Sequence, residues 1–208
     1  PDETTTIKML SGLTNATSGD AFLNAKSITK DIAEVKSIIA VSPQETAVAL
    51  GLTARENLEL ICGIHGFSKE KTNEKIQELT DLLGLKPILN KKAGRISCGY
   101  QRRLSIAMAL ISDPVILFLD EPTLGLDVLV RSDLWDIIRS LKGHITIILT
   151  THYMEEAEAL SDRIAIMKDG KLLICGTAED IKKTANTDNF EQAFVRIAKG
   201  YGSQSASR

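Results

Sequence analysis

The chain has 208 residues, 43% of them hydrophobic, enough to bury a core as one domain or as one domain with a lobe. Its 25 basic and 27 acidic residues leave a net charge of −2, which gives no electrostatic case for nucleic acid or for an anionic membrane surface. No apolar run approaches the ~18 residues that a bilayer span needs, so a membrane role must come through a partner. Cys62, Cys98 and Cys175 are few and widely spaced, which fits a reducing compartment.

In chain order, a helix from Thr4 is followed by short β-like runs. One of these is Ala21–Asn24, after the Ser18-Gly19-Asp20 turn, and a strand is expected at Ser37–Val41. From about Glu45 to Ile111 the pattern is helical throughout. Thr53-Ala54-Arg55-Glu56 is a capping box, opening a helix through Ile64. Ser68 caps the next helix, whose Ile76, Leu79, Leu82 and Leu83 keep a helical rhythm until Gly84 ends it. Cys62 and His65 have metal-pair spacing, but no second pair completes a site, so a helix-end coincidence is preferred. His144 reads as a surface turn residue. From Val115 onward strands alternate with helices: strands at Val115–Leu119, Ile145–Thr150 and Arg163–Met167, and a helix at Val128–Leu141. Such alternation predicts βαβ crossovers and a parallel sheet. Beyond Lys183 the pattern fades, and Tyr201–Arg208 is Gly/Ser-rich.

Two segments carry the chemistry. Val115-Ile116-Leu117-Phe118-Leu119 ends in Asp120-Glu121-Pro122. A short apolar run reads as a strand buried on both faces, and α/β sheets place ligand chemistry at the C-terminal ends of such strands. One acid can hold Mg²⁺ while its neighbour polarises an attacking water; a core strand with an acidic turn is the alternative. Upstream, Ser97-Cys98-Gly99 precedes a helical pattern running from about Tyr100 to Ile111. Small residues at a helix start leave N–H groups free to face a phosphate; an ordinary Ser N-cap is the alternative.

Together, in this order, Ile96-Ser97-Cys98-Gly99-Tyr100-Gln101 and Val115–Pro122 resemble the signature and Walker B motifs of ABC-type ATPases. Gln44 resembles the Q-loop glutamine, Thr123-Leu124-Gly125-Leu126-Asp127 the D-loop, and His152 the switch histidine. Asp169-Gly170-Lys171 resembles the late hairpin of that family. The phrasing around His152 and Glu155-Glu156-Ala157 looks most like the ATPase subunits of drug- and ion-extruding exporters. The short helical insertion argues against chromosome-maintenance relatives, which carry a long coiled coil there.

The resemblance implies an α/β fold: a P-loop NTPase-like, mainly parallel sheet core with an inserted all-helical lobe. The core would take residues 1–44 and 112–200, the signature lobe 45–111, and a flexible tail 201–208. Glu121 would be the catalytic base and His152 the γ-phosphate contact. Asp120 would stand beside Mg²⁺, with Gln44 reaching both Mg²⁺ and the attacking water. Ser97 and Gly99 would face ATP across a dimer, Asp127 would lie in the dimer-interface loop as well as capping a helix, and Thr4 and Thr5 would bind ATP, with Thr4 also on Mg²⁺. The implied partners are a transmembrane permease subunit, docking near Glu45–Leu58, and a second copy or a paralogous ATPase subunit. The implied location is the cytoplasmic face of the cell membrane. A nucleotide-binding-deficient interaction module and a soluble ABC ATPase are the competing readings.

The chain departs from the motif set at two places. Thr4-Thr5-Thr6-Ile7-Lys8 looks like the helix after a Gly-rich loop, but Pro1-Asp2-Glu3 precede it, with Glu3 where lysine is expected. The reading is of a sequence that starts inside the domain, with its N-terminal strands missing. Cys98 stands where the family has glycine, which weakens phosphate approach. Arg102 and Arg103 are expected on a solvated helix face.

Overall fold

The computed structural model describes residues 3–205, with side chains up to Gly200. Two compact units emerge: Lys8–Thr150, and Pro1–Ile7 with Thr151–Arg208. Helix α1 (Glu3–Leu10) crosses that division. In the larger unit a minimal hairpin follows, β1 (Phe22–Leu23) against β2 (Lys26–Ser27). Ahead of it Gly19 turns the chain at φ +83°. The Ser27 hydroxyl and the Ala21 N–H both donate to Asp20, at 2.7 and 2.8 Å, and the Ser27 bond foremost lowers the Asp20 carboxyl below its usual range.

Helix α2 (Ile32–Ile38) leads directly into strand β3 (Ile39–Ser42). The strand expected from Ser37 therefore starts two residues later. Glu34 in the first turn and Lys36 in the last complement the helix dipole, and the Ser37 hydroxyl donates to the Glu34 carbonyl at 2.7 Å, a bond made inside a helix.

Three helices separate β3 from the next strand: α3 (Ala54–Ile64), α4 (Lys69–Leu82) and α5 (Cys98–Leu110), with single 3₁₀ turns at Lys86–Ile88 and Ala93–Arg95. Both halves of the Thr53–Glu56 capping box form, and Ser68 accepts the Lys71 N–H at the start of α4. Gly84 leaves α4 at φ +63°, where a glycine costs no Cβ clash. Leu58, Cys62, Ile76, Leu79, Leu83, Leu85 and Leu104 are buried within this helical stretch. Lys75 is buried too. Burial alone would lower its ammonium, but bonds to Asp113 and Glu78 outweigh that and leave it raised. Asn57, fully buried, holds the preceding loop: it accepts the Ala49 N–H and donates to the Ala49 and Thr53 carbonyls.

Strand β4 (Ile116–Asp120) lies between β3 and β5 (Thr146–Thr150), parallel to both, with α6 (Val128–Leu141) joining β4 to β5. Every residue of β4 is buried, as its apolar run predicts. The register sets Ser42 beside Leu119 and Asp120 beside Thr150, so the three strands end at one edge.

The second unit holds α7 (Met154–Leu160), β6 (Ile164–Lys168), β7 (Lys171–Gly176), α8 (Ala178–Thr184) and α9 (Phe190–Ser205). Two sequence expectations are corrected here. The strand expected at Arg163–Met167 pairs antiparallel with β7 through the expected turn at Asp169 and Gly170, both at positive φ, and among the described residues it forms a separate two-stranded sheet and does not extend the parallel one. Past Lys183 the chain is not patternless: Phe190 and Ala193 bury one face of α9 with Ala157, Ile164, Ile166 and Ile181. The tail expected at 201–208 overlaps this helix as far as Ser205; residues 206–208 lie outside the described residues.

Replacing Asn57 with Ala removes three bonds from buried groups, so urea unfolding should show a loss of about 2–3 kcal/mol. A loss below about 0.5 kcal/mol would mean that the 45–53 loop holds itself.

Candidate active site

Asp120 and Glu121 are each 5% exposed, and such burial of carboxyl groups needs polar partners. Thr150, on the neighbouring strand, bonds the Asp120 carboxylate and the Glu121 main chain. Its hydroxyl donates to Asp120 Oδ1 at 2.6 Å and accepts the Glu121 N–H at 3.1 Å. The same N–H also reaches the Thr150 carbonyl, at 3.2 Å. Glu121 has φ +48°, a left-handed conformation that costs a non-glycine residue roughly 1–2 kcal/mol. Two tight turns follow, Leu124 N–H to Glu121 O and Leu126 N–H to Thr123 O. Sequence reasoning passed over Thr150, whose signal was a hydroxyl at the C-terminal end of the adjacent strand.

Gln44 stands two residues beyond β3, exposed, at the same sheet edge. Its main chain is fixed by Arg102, which donates to the Pro43 carbonyl at 2.8 Å and to the Gln44 carbonyl at 2.7 Å. Arg102 is therefore not on a solvated face: it is 7% exposed, and burial lowers its guanidinium pKa against the opposing pull of the Asp120 charge. Helix α5 is buried on several sides, from Gly99 and Arg102 to Leu110, so an arginine facing β3 must find acceptors inside. One turn on, Ser105 and Ser42 share a buried hydrogen bond of 3.0 Å, a second staple between α5 and β3. Arg103 does face outward in part, paired with Asp133 at 3.2 Å.

Ser97 is the N-cap of α5, accepting the Tyr100 N–H, and both it and Cys98 are exposed. Gly99 is buried, and a Cβ there would stand 2.4 Å from Val130 Cγ1 of α6. Close helix packing is thus one reason for its glycine. Asp127 caps α6, accepting the Leu129 and Val130 N–H groups at 3.1 and 3.0 Å.

Asp120, Glu121, Gln44, Ser97, Gly99 and Asp127 all belong to the larger unit. His152 and the pair Thr4 and Thr5 belong to the other. His152 is exposed in the loop between β5 and α7, and Thr4 and Thr5 are half-buried in the first turn of α1.

The family profile described as ABC transporter matches residues 3–124. The chain belongs to the ABC transporter family. It is 38% identical to the human phospholipid-transporting ATPase ABCA3 over 181 residues, which are 87% of this chain and 11% of that protein. It is 39% identical to ABC transporter A family member 1 of Dictyostelium discoideum, covering 86% of this chain and 20% of that one. Against A family member 11 of Arabidopsis thaliana it is 42% identical, over 89% of this chain and 20% of the relative. The chain thus spans a tenth to a fifth of these relatives, which are A-family members; none of the three is named for drug or ion export. A solved ATP-binding subunit of an ABC transporter superposes with a TM-score of 0.80 at 25% identity, covering 94% of this chain and 82% of that one. A dimeric ATP-binding cassette in a post-hydrolysis state, bound to ADP and Pi, superposes with a TM-score of 0.73 at 26% identity, covering 84% and 80%. The chain carries the family's ATP-binding domain, an α/β fold with a parallel sheet.

Two stability measurements check this geometry. Arg102→Met removes two charge-assisted bonds and should lower unfolding stability by about 3 kcal/mol, with Arg102→Lys losing less. A loss under about 0.5 kcal/mol for the methionine variant would contradict the clamp. Gly99→Ala should cost about 1–3 kcal/mol through overpacking; adding Val130→Ala should recover part of that loss in a thermal melt, and strict additivity would show that the two side chains do not meet.

Proposed function

We propose that this domain hydrolyses ATP and drives transport through a transmembrane permease, at the cytoplasmic face of the membrane. The observation that carries the reading is the pair of buried acids at the end of β4, with Glu121 held in a left-handed conformation by the end of β5. Strain of that kind, maintained by specific bonds, is a mark of functional positions.

The donor set fits Mg²⁺. Among the described residues no cluster of three His, Cys, Asp or Glu side chains could cage a metal, and Mg²⁺ is bound through one or two carboxylates with waters and substrate phosphates completing its shell. Asp120, Gln44 and Thr4 are the residues that would hold it, and when bound it offsets the charge of the phosphates. Glu121 orients the attacking water and accepts its proton. His152 contacts the γ-phosphate, and Thr4 and Thr5, in the first turn of a helix, offer hydroxyl and N–H donors to the nucleotide.

Residues 45–111 act as a signature lobe on a core of 1–44 and 112–200. Ser97 and Gly99, at the N-terminal end of the 13-residue α5, face the phosphates of a second copy or a paralogous ATPase subunit. The dimeric state of the cassette bound to ADP and Pi supports that arrangement. Asp127 lies in the loop facing the same partner. For the permease, the loop after Gln44 offers an exposed Leu50, 56% accessible, beside a buried Val48 that anchors it.

In the full-length protein, Glu121→Gln should cut Mg²⁺-dependent ATP turnover by about 100-fold or more while ATP affinity stays within about threefold. Turnover close to wild type in that variant would remove Glu121 from the role of base.

A further inference from the structure

Thr150 has no part in the roles assigned so far, yet its single hydroxyl engages both acids. It is the last residue of β5, and the register sets it directly beside Asp120. Donation to Asp120 Oδ1 at 2.6 Å fixes the plane of that carboxylate. Acceptance of the Glu121 N–H at 3.1 Å catches the first residue after β4, where the chain turns left-handed at φ +48°. A hydroxyl can give one proton and accept others, so only Ser or Thr at this position can serve both groups through one short side chain. A methyl in its place would take the hydroxyl's bond from the Asp120 oxygen and leave the Glu121 N–H only the Thr150 carbonyl at 3.2 Å, with both residues 5% exposed.

We propose that Thr150 is a positioning residue for ATP hydrolysis, locking the carboxylate of Asp120 and the main chain of Glu121 into one unit. Thr150 touches neither the water nor the phosphate in this account; it acts through the two acids. The proposal rests on the hydrolytic reading given above. It adds that β5 sets the geometry of the acids through its side chain and not only through the ladder. Thr150 is half-buried, and valine has nearly its shape, so Thr150→Val tests the hydroxyl with little change in packing.

The experiment uses the full-length protein with Thr150→Val, Thr150→Ser and Glu121→Gln. Steady-state turnover, binding of a fluorescent ATP analogue, and Mn²⁺ affinity by electron paramagnetic resonance in the presence of ATP are measured for each. Thr150→Val should lower kcat by about 10- to 100-fold, as expected for losing bonds to ionic and strained groups. It should weaken Mn²⁺ binding by roughly tenfold while analogue affinity stays within about threefold. Thr150→Ser, which keeps the hydroxyl, should restore both quantities to within about threefold of wild type. Equal losses in the valine and serine variants would assign the effect to the lost methyl and packing, and overturn the proposal. So would a valine variant with wild-type kcat and Mn²⁺ affinity. The base role is tested apart by Glu121→Gln: turnover close to wild type in that variant removes Glu121 from the role of base and the positioning role with it, whereas an inactive Glu121→Gln beside an active Thr150→Val refutes the positioning role alone.

Discussion

Burial of β4 along its whole length is the constraint on which the rest depends. Leu117, Phe118 and Leu119 are fully inaccessible, each contributing on the order of 1.5–3 kcal/mol by leaving water. That burial requires strands on both sides, which β3 and β5 supply in parallel. It also carries Asp120 and Glu121 inward, where carboxyl groups are tolerated only if something bonds to them. The end of β5 meets that demand for Asp120 with the Thr150 hydroxyl, and the same hydroxyl and the Thr150 carbonyl hold the Glu121 N–H. The same packing that stabilises the sheet therefore presents two acids at a common edge, one extended and one left-handed.

Helix α5 ties a second set of groups to that edge. Its buried Arg102 and Ser105 bond to the end of β3 and the chain just past it, while its N-terminal Ser97 stays exposed. A shift of α5 cannot leave the Gln44 main chain where it is without breaking two charge-assisted bonds. Two groups far apart in sequence, the Ser97 cap and the Gln44 loop, are thus tied together within the larger unit. Gly99 lets this helix approach α6, so the segment after β4 is drawn into the same packing.

What could be read from residues alone follows a physical divide. Local signals were legible: the Thr53 and Ser68 caps, the bounds of α6 from Asp127 to Leu141, the Asp169-Gly170 turn and the apolar run of β4 all depend on neighbours in sequence. Arg102 was not, because a charged residue on a helix betrays burial only through its acceptors, and those lie 58 and 59 residues away. Thr150 escaped for the same reason, its partners being 29 and 30 residues distant and set by strand register. The hairpin at Asp169-Gly170 is legible in the same way, whereas the alternation of strands and helices does not tell that Ile164–Lys168 pairs with β7 and stands outside the β3-β4-β5 sheet. Helix α9 is hard to read because the residues that cover Phe190 and Ala193, Ala157, Ile164 and Ile166 among them, are distant in sequence.

We propose that the edge formed by the ends of β3, β4 and β5 is the centre of ATP hydrolysis. Iron-directed cleavage tests it most directly: Fe²⁺ replaces Mg²⁺ in the full-length protein with ATP bound, peroxide and ascorbate are added, and the sites of backbone scission are mapped. The account expects ATP-dependent cuts beside Asp120 and Glu121 and beside Gln44. Cuts confined to other segments, with ATP bound and those three positions intact, would contradict it.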